Sequence, residues 1–205
     1  MQTNTNIETP YDVAEINRLI RHRRSVFPKQ FSDRVIDREI IEQILENANW
    51  APNHGKNEPW RFVVFTGEGL KQLAEFQSEL YKKVTPAEKF DQKKFDKLAN
   101  KPLMASHVIA IGMSRVAGTK IPEIEDVEAV ACAVQNIYLT ATAYGVGGYW
   151  GSGGITYREE AKDFFGLEED DKLLGFFYLG YPKEAPKDGA RGAIQDKVVW
   201  VEEAE

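Results

Sequence analysis

The stretch from Ala129 to Trp150 contains no charged side chain, although 28% of all residues in the chain are charged. It approaches the roughly 20 apolar residues with which a helix crosses a bilayer. Gln135, Asn136 and the glycines after Tyr144 argue against a span, because they interrupt the apolar run. A soluble helix that is apolar all round is buried in a domain or in a subunit interface. We therefore predict a buried helix that ends near Gly145, with Cys132 packed inside it, and no contact with a membrane.

Hydrophobic periodicity predicts the elements around this helix. The predicted helices cover residues 11–23, 37–49 and 68–83, and the predicted strands cover 60–66, 104–113, 173–181 and 197–201. The first helix is expected to bury one face, formed by Val13, Ile16, Leu19 and Ile20. The strand 173–181 is expected at the centre of the sheet. A capping box at Thr156–Glu159 predicts a short helix that stops at Gly166.

The length of 205 residues suits one domain, which we place at residues 11–205 after a flexible tail at 1–10. The net charge is −6 and the pI is about 5.3, so a broad basic surface for nucleic acid is missing. The tail lacks the order of a secretory signal, and the single cysteine excludes an intrachain disulfide. These features predict a cytoplasmic protein.

Few side chains in the sequence suit acid–base, nucleophilic or metal chemistry. The three histidines form no His/Cys pair at metal-ligand spacing, so we expect no metal site. The Gly-x-Ser-x-Gly motif is absent, and the single cysteine lies in an apolar helix. This pattern favours a protein in which a cofactor performs the chemistry, with no catalytic side chain.

The densest basic cluster is Arg21-His22-Arg23-Arg24-Ser25. One interpretation is a solvated helix end, whose cations lie at the negative end of the helix dipole. The other is a phosphate clamp, because two guanidinium groups and a hydroxyl can satisfy the oxygens of one phosphate. Arg191 lies alone in the polar C-terminal part, where a surface role is the simplest interpretation.

Three further segments each allow a structural and a functional interpretation. Residues 50–66 change from helix to polar turn to strand, and loops of this kind often carry sites. The glycines of 145–154 lack the spacing of a dinucleotide fingerprint and form either a tight strand and turn or a surface for a flat ligand. Residues 85–102 are lysine-rich and form either a solvated amphipathic helix or a mobile cover over a pocket.

Together these motifs resemble the FMN-dependent nitroreductase family. The matching segments are Arg-Arg-Ser at 23–25, Ala-Pro-Asn-His-Gly at 51–55, Pro-Trp-Arg-Phe at 59–62, the glycine and tryptophan segment at 147–153, and Leu-Gly-Tyr-Pro at 179–182 followed by Arg191. Their order and spacing agree over residues 12–201, and the turn is similar to that of a compact bacterial branch of NAD(P)H nitroreductases. The resemblance implies an α+β fold with a mixed central sheet flanked by helices, an intertwined homodimer, and two FMN sites at the subunit interface.

The resemblance also implies roles for ten residues. Arg23, Arg24 and Ser25 are expected to hold the FMN phosphate and ribityl chain, and Arg191 to complete the phosphate clamp. Pro52, Asn53 and His54 are expected to line the isoalloxazine, with His54 reaching the flavin of the other subunit. Trp150, Gly151 and Ser152 are expected to border the ring with backbone donors.

The implied activity is reduction of nitroaromatics, quinones or similar electron-poor acceptors by NAD(P)H, through a ping-pong hydride transfer. A flavin storage or sensor protein without turnover is the alternative. The chain departs from the family at Phe27, where better-studied members often carry a basic residue near the pyrimidine edge of the flavin. Lys56 and Arg61 are the candidates for the missing charge.

Overall fold

The computed structural model of the chain describes residues 10–202. Its α-helices are α1 Val13–His22, α2 Arg38–Asn49, α3 Glu68–Val84, α4 Gln92–Asn100 and α5 Glu123–Ala143. Its strands are β1 Trp60–Thr66, β2 His107–Met113, β3 Gly147–Gly151 and β4 Lys172–Gly180. The predicted tail at 1–10 lies outside the described residues except for Pro10, and its flexibility stays a prediction.

The four strands form one sheet in the order β1-β2-β4-β3, and each neighbouring pair is antiparallel. The prediction that residues 173–181 form a central strand is therefore confirmed. Within residues 10–202, parallel pairing is limited to an isolated bridge between Ser25 and Gly148. That bridge joins the segment after α1 to the edge strand β3. The α+β class is as predicted, whereas the mixed pairing expected of the sheet is not found among the four strands, which are all antiparallel.

Successive side chains of a strand point to opposite faces, so the two central strands supply two separate cores. Val108 and Phe176 belong to one core, which also contains apolar residues of α3 and α4. Ile109 and Phe177 belong to the other core, which contains residues of α2 and α5. Helices therefore flank both faces of the sheet, as predicted. The assignment of residues 11–205 to one domain rests on this shared sheet and stays a prediction.

Helix α5 buries one face within the chain, whereas residues of its other face, such as Ala131 and Gln135, are exposed. Its buried residues are Asp126, Ala129, Val130, Ala133, Val134, Ile137 and Ala141. Tyr144 caps its C-terminal end, and Gly145 follows with φ +70°, the left-handed region that glycine tolerates. Among residues 10–202, no helix is both long enough and apolar enough to cross a membrane. Cys132 lies on the face of α5 that the chain leaves uncovered, and it is exposed. The prediction that it is buried is therefore wrong.

A buried carboxylate anchors the beginning of α5. Asp126 is 1% exposed, and its two oxygens accept hydrogen bonds from the Arg115 guanidinium and the Asn57 side-chain amide. Arg115 also donates to the Ile121 carbonyl at 2.9 Å. A buried charge is tolerated when it is paired and hydrogen-bonded, and removal of one partner is strongly destabilising. This ion pair therefore holds together the end of β2, the start of α5 and the turn before β1.

Two predicted apolar surfaces are not buried within the chain. No residue of α1 is buried, and Val13, Ile16 and Ile20 are 57%, 43% and 50% exposed. Residues 197–201 form no strand, and Val199, Trp200 and Val201 are also exposed. Both predictions are wrong for the single chain, because α1 contacts α5 yet leaves these apolar side chains exposed, and residues 198–201 pair with no strand of the described chain.

The predicted capping box also fails. Residues 159–165 form two short 3-10 turns, Glu159–Ala161 and Asp163–Phe165, instead of an α-helix. The Thr156 hydroxyl donates to the Gly153 carbonyl at 3.0 Å, and the amides of Ala161 and Lys162 bond carbonyls only three residues back. The predicted stop at Gly166 is correct, and this glycine has φ +66°.

Candidate functional site

The basic cluster lies where α1 ends and the chain joins the sheet. Arg23 is the C-cap of α1, and the next residue but one, Ser25, bridges Gly148 of β3. The Val26 amide donates to the Gly148 carbonyl at 2.9 Å. Gly148 can pack here because it has no side chain: a Cβ would lie 2.6 Å from the Phe177 ring. The basic cluster and the glycine-rich strand are therefore adjacent. Both motifs can contribute to one site only if they are adjacent.

Arg23, Arg24 and Arg191 line one cleft of about 1050 Å³. Arg18 and Arg21 also line it, and Asp188 is the one carboxylate among its lining residues. Several guanidinium groups around one open cleft create a positive potential that favours an anion. The structure therefore brings Arg191, which is isolated in the sequence, to the predicted phosphate clamp.

Arg24 and Arg23 differ in how far the protein already occupies their donors. The Arg24 guanidinium donates to the carbonyls of Arg21, Arg23 at 2.9 Å and Lys187 at 3.2 Å. Arg24 therefore ties the C-terminal segment to the cluster. Arg23 lies over the ring of Tyr138, 4.7 Å from its centroid, and among residues 10–202 it has no carboxylate partner. Of the two, Arg23 has the guanidinium donors available for a ligand.

Tyr138 of α5 connects the two halves of this region, and the sequence analysis did not identify it. Its hydroxyl accepts a hydrogen bond from the Trp150 amide at 2.9 Å and lies 3.4 Å from the Ser25 hydroxyl. Its ring carries Arg23 on one side and packs edge-on against Phe177. A buried tyrosine hydroxyl requires a polar partner. Its position in the stretch from Ala129 to Trp150, which has no charged side chain, was the signal that could have identified it.

The glycine and tryptophan segment is a tight strand, which confirms the structural interpretation. Both N–H groups of Trp150 are occupied, the amide by Tyr138 and the indole by the Leu174 carbonyl at 3.1 Å. Trp150 therefore has no free donor, whereas Ser152 is exposed after the strand ends. Gly151 and Ser152 stay candidates for the border of a flat ligand.

Pro52, Asn53 and His54 lie at the opposite end of α5. His54 Nδ1 is 2.6 Å from Glu125 Oε2, and Asn53 Oδ1 accepts the Glu58 amide at 3.2 Å. Two non-glycine residues of this turn, Lys56 and Glu58, have positive φ values of 57° and 44°. Such conformations cost free energy and persist only where the surroundings enforce them. The network around Asp126 supplies that enforcement.

The ten predicted residues consequently form two groups in one chain. Glu125 contacts one group and Tyr138 contacts the other, and thirteen residues of helix separate them by about 20 Å along the axis. Arg23, Arg24, Ser25, Arg191 and the strand residues Trp150, Gly151 and Ser152 form the first group; Pro52, Asn53 and His54 form the second. One copy of the chain does not bring them together.

Lys101 is a second residue that the sequence analysis missed. Its ammonium group lies 4.5 Å from the Tyr149 ring centroid and 4.3 Å from that of Tyr178. It is half-buried, and burial together with the positive charge of Lys97 lowers the pKa of Lys101 to about 8. The ring of Phe27 packs against Tyr149 at 4.5 Å. Lys101 and Phe27 therefore contact the same ring, that of Tyr149. The Lys101 cation thus lies near the position where the chain has Phe27 instead of a basic residue.

The two cations that the sequence analysis considered are placed differently. Arg61 donates to the carbonyls of Glu58 and Trp60 at 2.9 and 2.8 Å. Lys56 belongs to the distant turn beside α5. The sequence signal for Lys101 is its place four residues after Lys97 and directly before Pro102.

Comparisons with known proteins concern the family and the fold. The Nitroreductase family model matches residues 20–181. YdjA of Escherichia coli (strain K12), an NAD(P)H nitroreductase by name, is 34% identical over 71% of this chain and 77% of its own length. A nitroreductase-like family protein from Bacillus cereus superposes with a TM-score of 0.80 at 30% identity, covering 95% of this chain and 99% of the other. The FMN-dependent nitroreductase NfnB from Mycobacterium smegmatis, solved with NADPH, superposes with a TM-score of 0.71 at 19% identity, covering 93% and 100%.

The surroundings of Lys101 predict a pH dependence of stability. Between about pH 8 and pH 10.5 the unfolded chain holds a proton on this lysine that the folded chain has lost, so stability rises with pH in this window. We therefore expect the free energy of unfolding of the wild type, minus that of Lys101→Met, to increase as the pH rises through this window. Urea denaturation at several pH values measures both. Lys82→Met, at an exposed lysine of α3, is the control. A wild-type and Lys101→Met difference that is constant with pH contradicts the prediction.

Proposed function

The chain belongs to the nitroreductase family, and on that premise we propose that it is an FMN-dependent NAD(P)H oxidoreductase that reduces nitroaromatics, quinones or similar electron-poor acceptors. Family membership confirms the resemblance drawn from the motifs. The observation that carries the proposal is the arginine cleft, which Tyr138 joins directly to the glycine and tryptophan strand. A phosphate-bearing cofactor with a flat ring needs these two features side by side.

The residues present fit the phosphate of FMN. The cleft holds guanidinium groups in excess over carboxylates, and the Arg23 guanidinium is without a carboxylate partner in the described chain. In the proposed complex Arg23, Arg191 and Ser25 bind the phosphate and ribityl chain through charge-assisted hydrogen bonds. Arg24 acts mainly by positioning the segment that contains Lys187 and Gly189, since a Cβ on Gly189 would meet its guanidinium at 2.7 Å.

The ring end of the proposed site needs a second copy of the chain. Gly151 and Ser152 border the ring in one subunit, and Pro52, Asn53 and His54 of the partner line its other edge. The apolar surface of α1 and the segment 198–201 are exposed in the single chain and are the surfaces we assign to an intertwined homodimer. The strand-forming segment 198–201 is suited to pairing with a sheet edge of the partner.

The protein supplies position and charge rather than a base. When bound, FMN would supply the centre that accepts and donates hydride, so the proposal requires no catalytic side chain. NAD(P)H and the acceptor use the same exposed face in turn, in a ping-pong sequence. Within the same subunit, Lys101 is the cation that would offset negative charge on FMN, because it lies beside Tyr149 and Phe27, whereas Arg61 is held by two carbonyls.

Bound flavin and its reduction test this function. The purified protein incubated with FMN is expected to retain flavin, and its absorbance is expected to bleach when NADH or NADPH is added without oxygen. A nitroaromatic or quinone should then restore the oxidised spectrum. Flavin that binds but that neither nucleotide reduces supports the storage or sensor alternative. Absence of bound flavin contradicts both functions.

Arg23→Ala tests the phosphate clamp. Loss of a charged hydrogen bond costs roughly 1.5–3 kcal/mol, so FMN affinity is expected to fall at least about tenfold in a fluorescence titration. A second variant, Arg24→Ala, loses the hydrogen bond from Arg24 to the Lys187 carbonyl. We expect faster protease cleavage near Lys187 in this variant, because that segment is no longer held. Arg38→Ala, which removes an exposed pair with Glu42, is the matched control. Unchanged affinity in Arg23→Ala excludes the clamp.

Light scattering tests the dimer. The mass is expected to be twice 23.2 kDa. Ile16→Glu combined with Ile20→Glu is expected to yield a single-chain mass and to weaken FMN binding, since burying two carboxylates in an apolar interface is unfavourable. Val35→Glu, at a site that is 66% exposed, gives a control with the same type of change. A wild type with the mass of one chain refutes the dimer.

A further inference from the structure

A row of three lysines runs along α4 and past its end. Lys93, Lys97 and Lys101 are spaced four residues apart, and the backbone of Lys101 is still helical, with φ −60° and ψ −43°. Residues four apart lie on one face of a helix, so the three charges follow one line of about 12 Å. Lys93 and Lys97 are exposed, and Lys101 is half-buried. We call this line the lysine row.

The lysine row is not neutralised within the chain. The carboxylates of the helix are occupied elsewhere, because Asp91 caps the helix by accepting the Lys93 amide and Asp96 accepts from Gln92. No ion pair in residues 10–202 involves a lysine of the row. Like charges at this spacing destabilise a helix. Within the fold, Lys101 makes cation–π contacts with Tyr149 and Tyr178, whereas Lys93 and Lys97 form no ion pair or cation–π contact within residues 10–202.

The inner end of the row reaches the candidate site. Lys101 lies against Tyr149, and a Cβ on Gly151 would be 3.3 Å from its ammonium group. The outer end, Lys93, is at the surface. The row thus leads from solvent to the place where the proposed function puts the exposed face of the ring.

We propose that the lysine row binds the phosphates of the nicotinamide dinucleotide and gives the protein a preference for NADPH over NADH. This inference rests on the proposed function and deepens it. A chain with net charge −6 repels a polyanion on average, so a local positive track is needed to attract one.

The length and number of charges favour the phosphorylated nucleotide. Three cations spread over about 12 Å match two separated phosphate groups better than a single compact one. The extra 2′-phosphate of NADPH is a phosphate monoester, which carries about −1.5 to −2 charges near pH 7. A small carboxylated acceptor bears one charge and can use only the inner lysine.

The test compares nucleotide binding by two matched double variants. Lys93→Gln with Lys97→Gln removes the outer charges, and glutamine keeps a good helix propensity. Lys82→Gln with Lys83→Gln removes two exposed charges from α3 outside the row. Calorimetry with NADP+ and NAD+ on the wild type and both variants is performed at low salt, and the KM values for NADPH and NADH are then measured.

The wild type is expected to bind NADP+ more tightly than NAD+. The row variant is expected to lose about three- to tenfold in affinity for NADP+, the scale of two exposed charge contacts, with less than a twofold change for NAD+. The α3 variant should change neither. Added salt should shrink the effect, because the Debye length is about 10 Å at 0.1 M and about 3 Å at 1 M.

Equal affinity of the wild type for the two nucleotides overturns the proposal, as does an equal loss in the α3 variant. The KM of the row variant is also measured for 4-nitrobenzoate, which is charged, and for nitrobenzene, which is neutral. A change in KM for 4-nitrobenzoate alone assigns the row to the acceptor and also overturns the proposal. Because NADP+ binding is read without turnover, a failed flavin reduction contradicts the proposed function alone. Loss of NADP+ preference in the row variant still supports the row in that case.

Discussion

Both halves of the candidate site depend on the rigidity of α5. Near its beginning, the buried carboxylate of Asp126 binds Arg115 and Asn57 and thereby holds the strained turn that carries His54. Near its end, Tyr138 holds Ser25, Arg23 and the Trp150 amide. A helix of this length keeps the two groups about 20 Å apart. The helix that positions each group therefore also keeps the two predicted groups apart within one chain.

The distribution of charge follows the same logic. The protein is acidic overall, yet two groups of its cations adjoin the glycine and tryptophan strand. Arg23 and Arg191 line the cleft on one side, and Lys101 approaches Gly151 on the other. Cations that form no ion pair within the protein remain available to anionic ligands. Phe27 fits this picture, because its ring packs on Tyr149 while the charge comes from Lys101.

Much of the fold was predictable from local pattern. The strands at 60–66 and 173–181 and the helix at 37–49 follow from periodicity, because alternation and helical spacing are properties of short segments. The first helix was also located correctly, but its burial was not, since Ile16 and Ile20 stay exposed in the single chain. The helix expected after Thr156 is replaced by two 3-10 turns, a choice of backbone hydrogen bonding that a capping pattern does not specify.

The sequence by itself determined the family, the order of the elements and the motifs of the site, because each of these resides in short segments with characteristic residue types. Only the tertiary structure decided which motifs meet. It brought Arg191 to the basic cluster, added Tyr138 and Lys101, and placed His54 at the far end of α5. The physical reason is that these relations depend on packing between residues distant in sequence, where burial and partner geometry, rather than local propensity, determine the contacts.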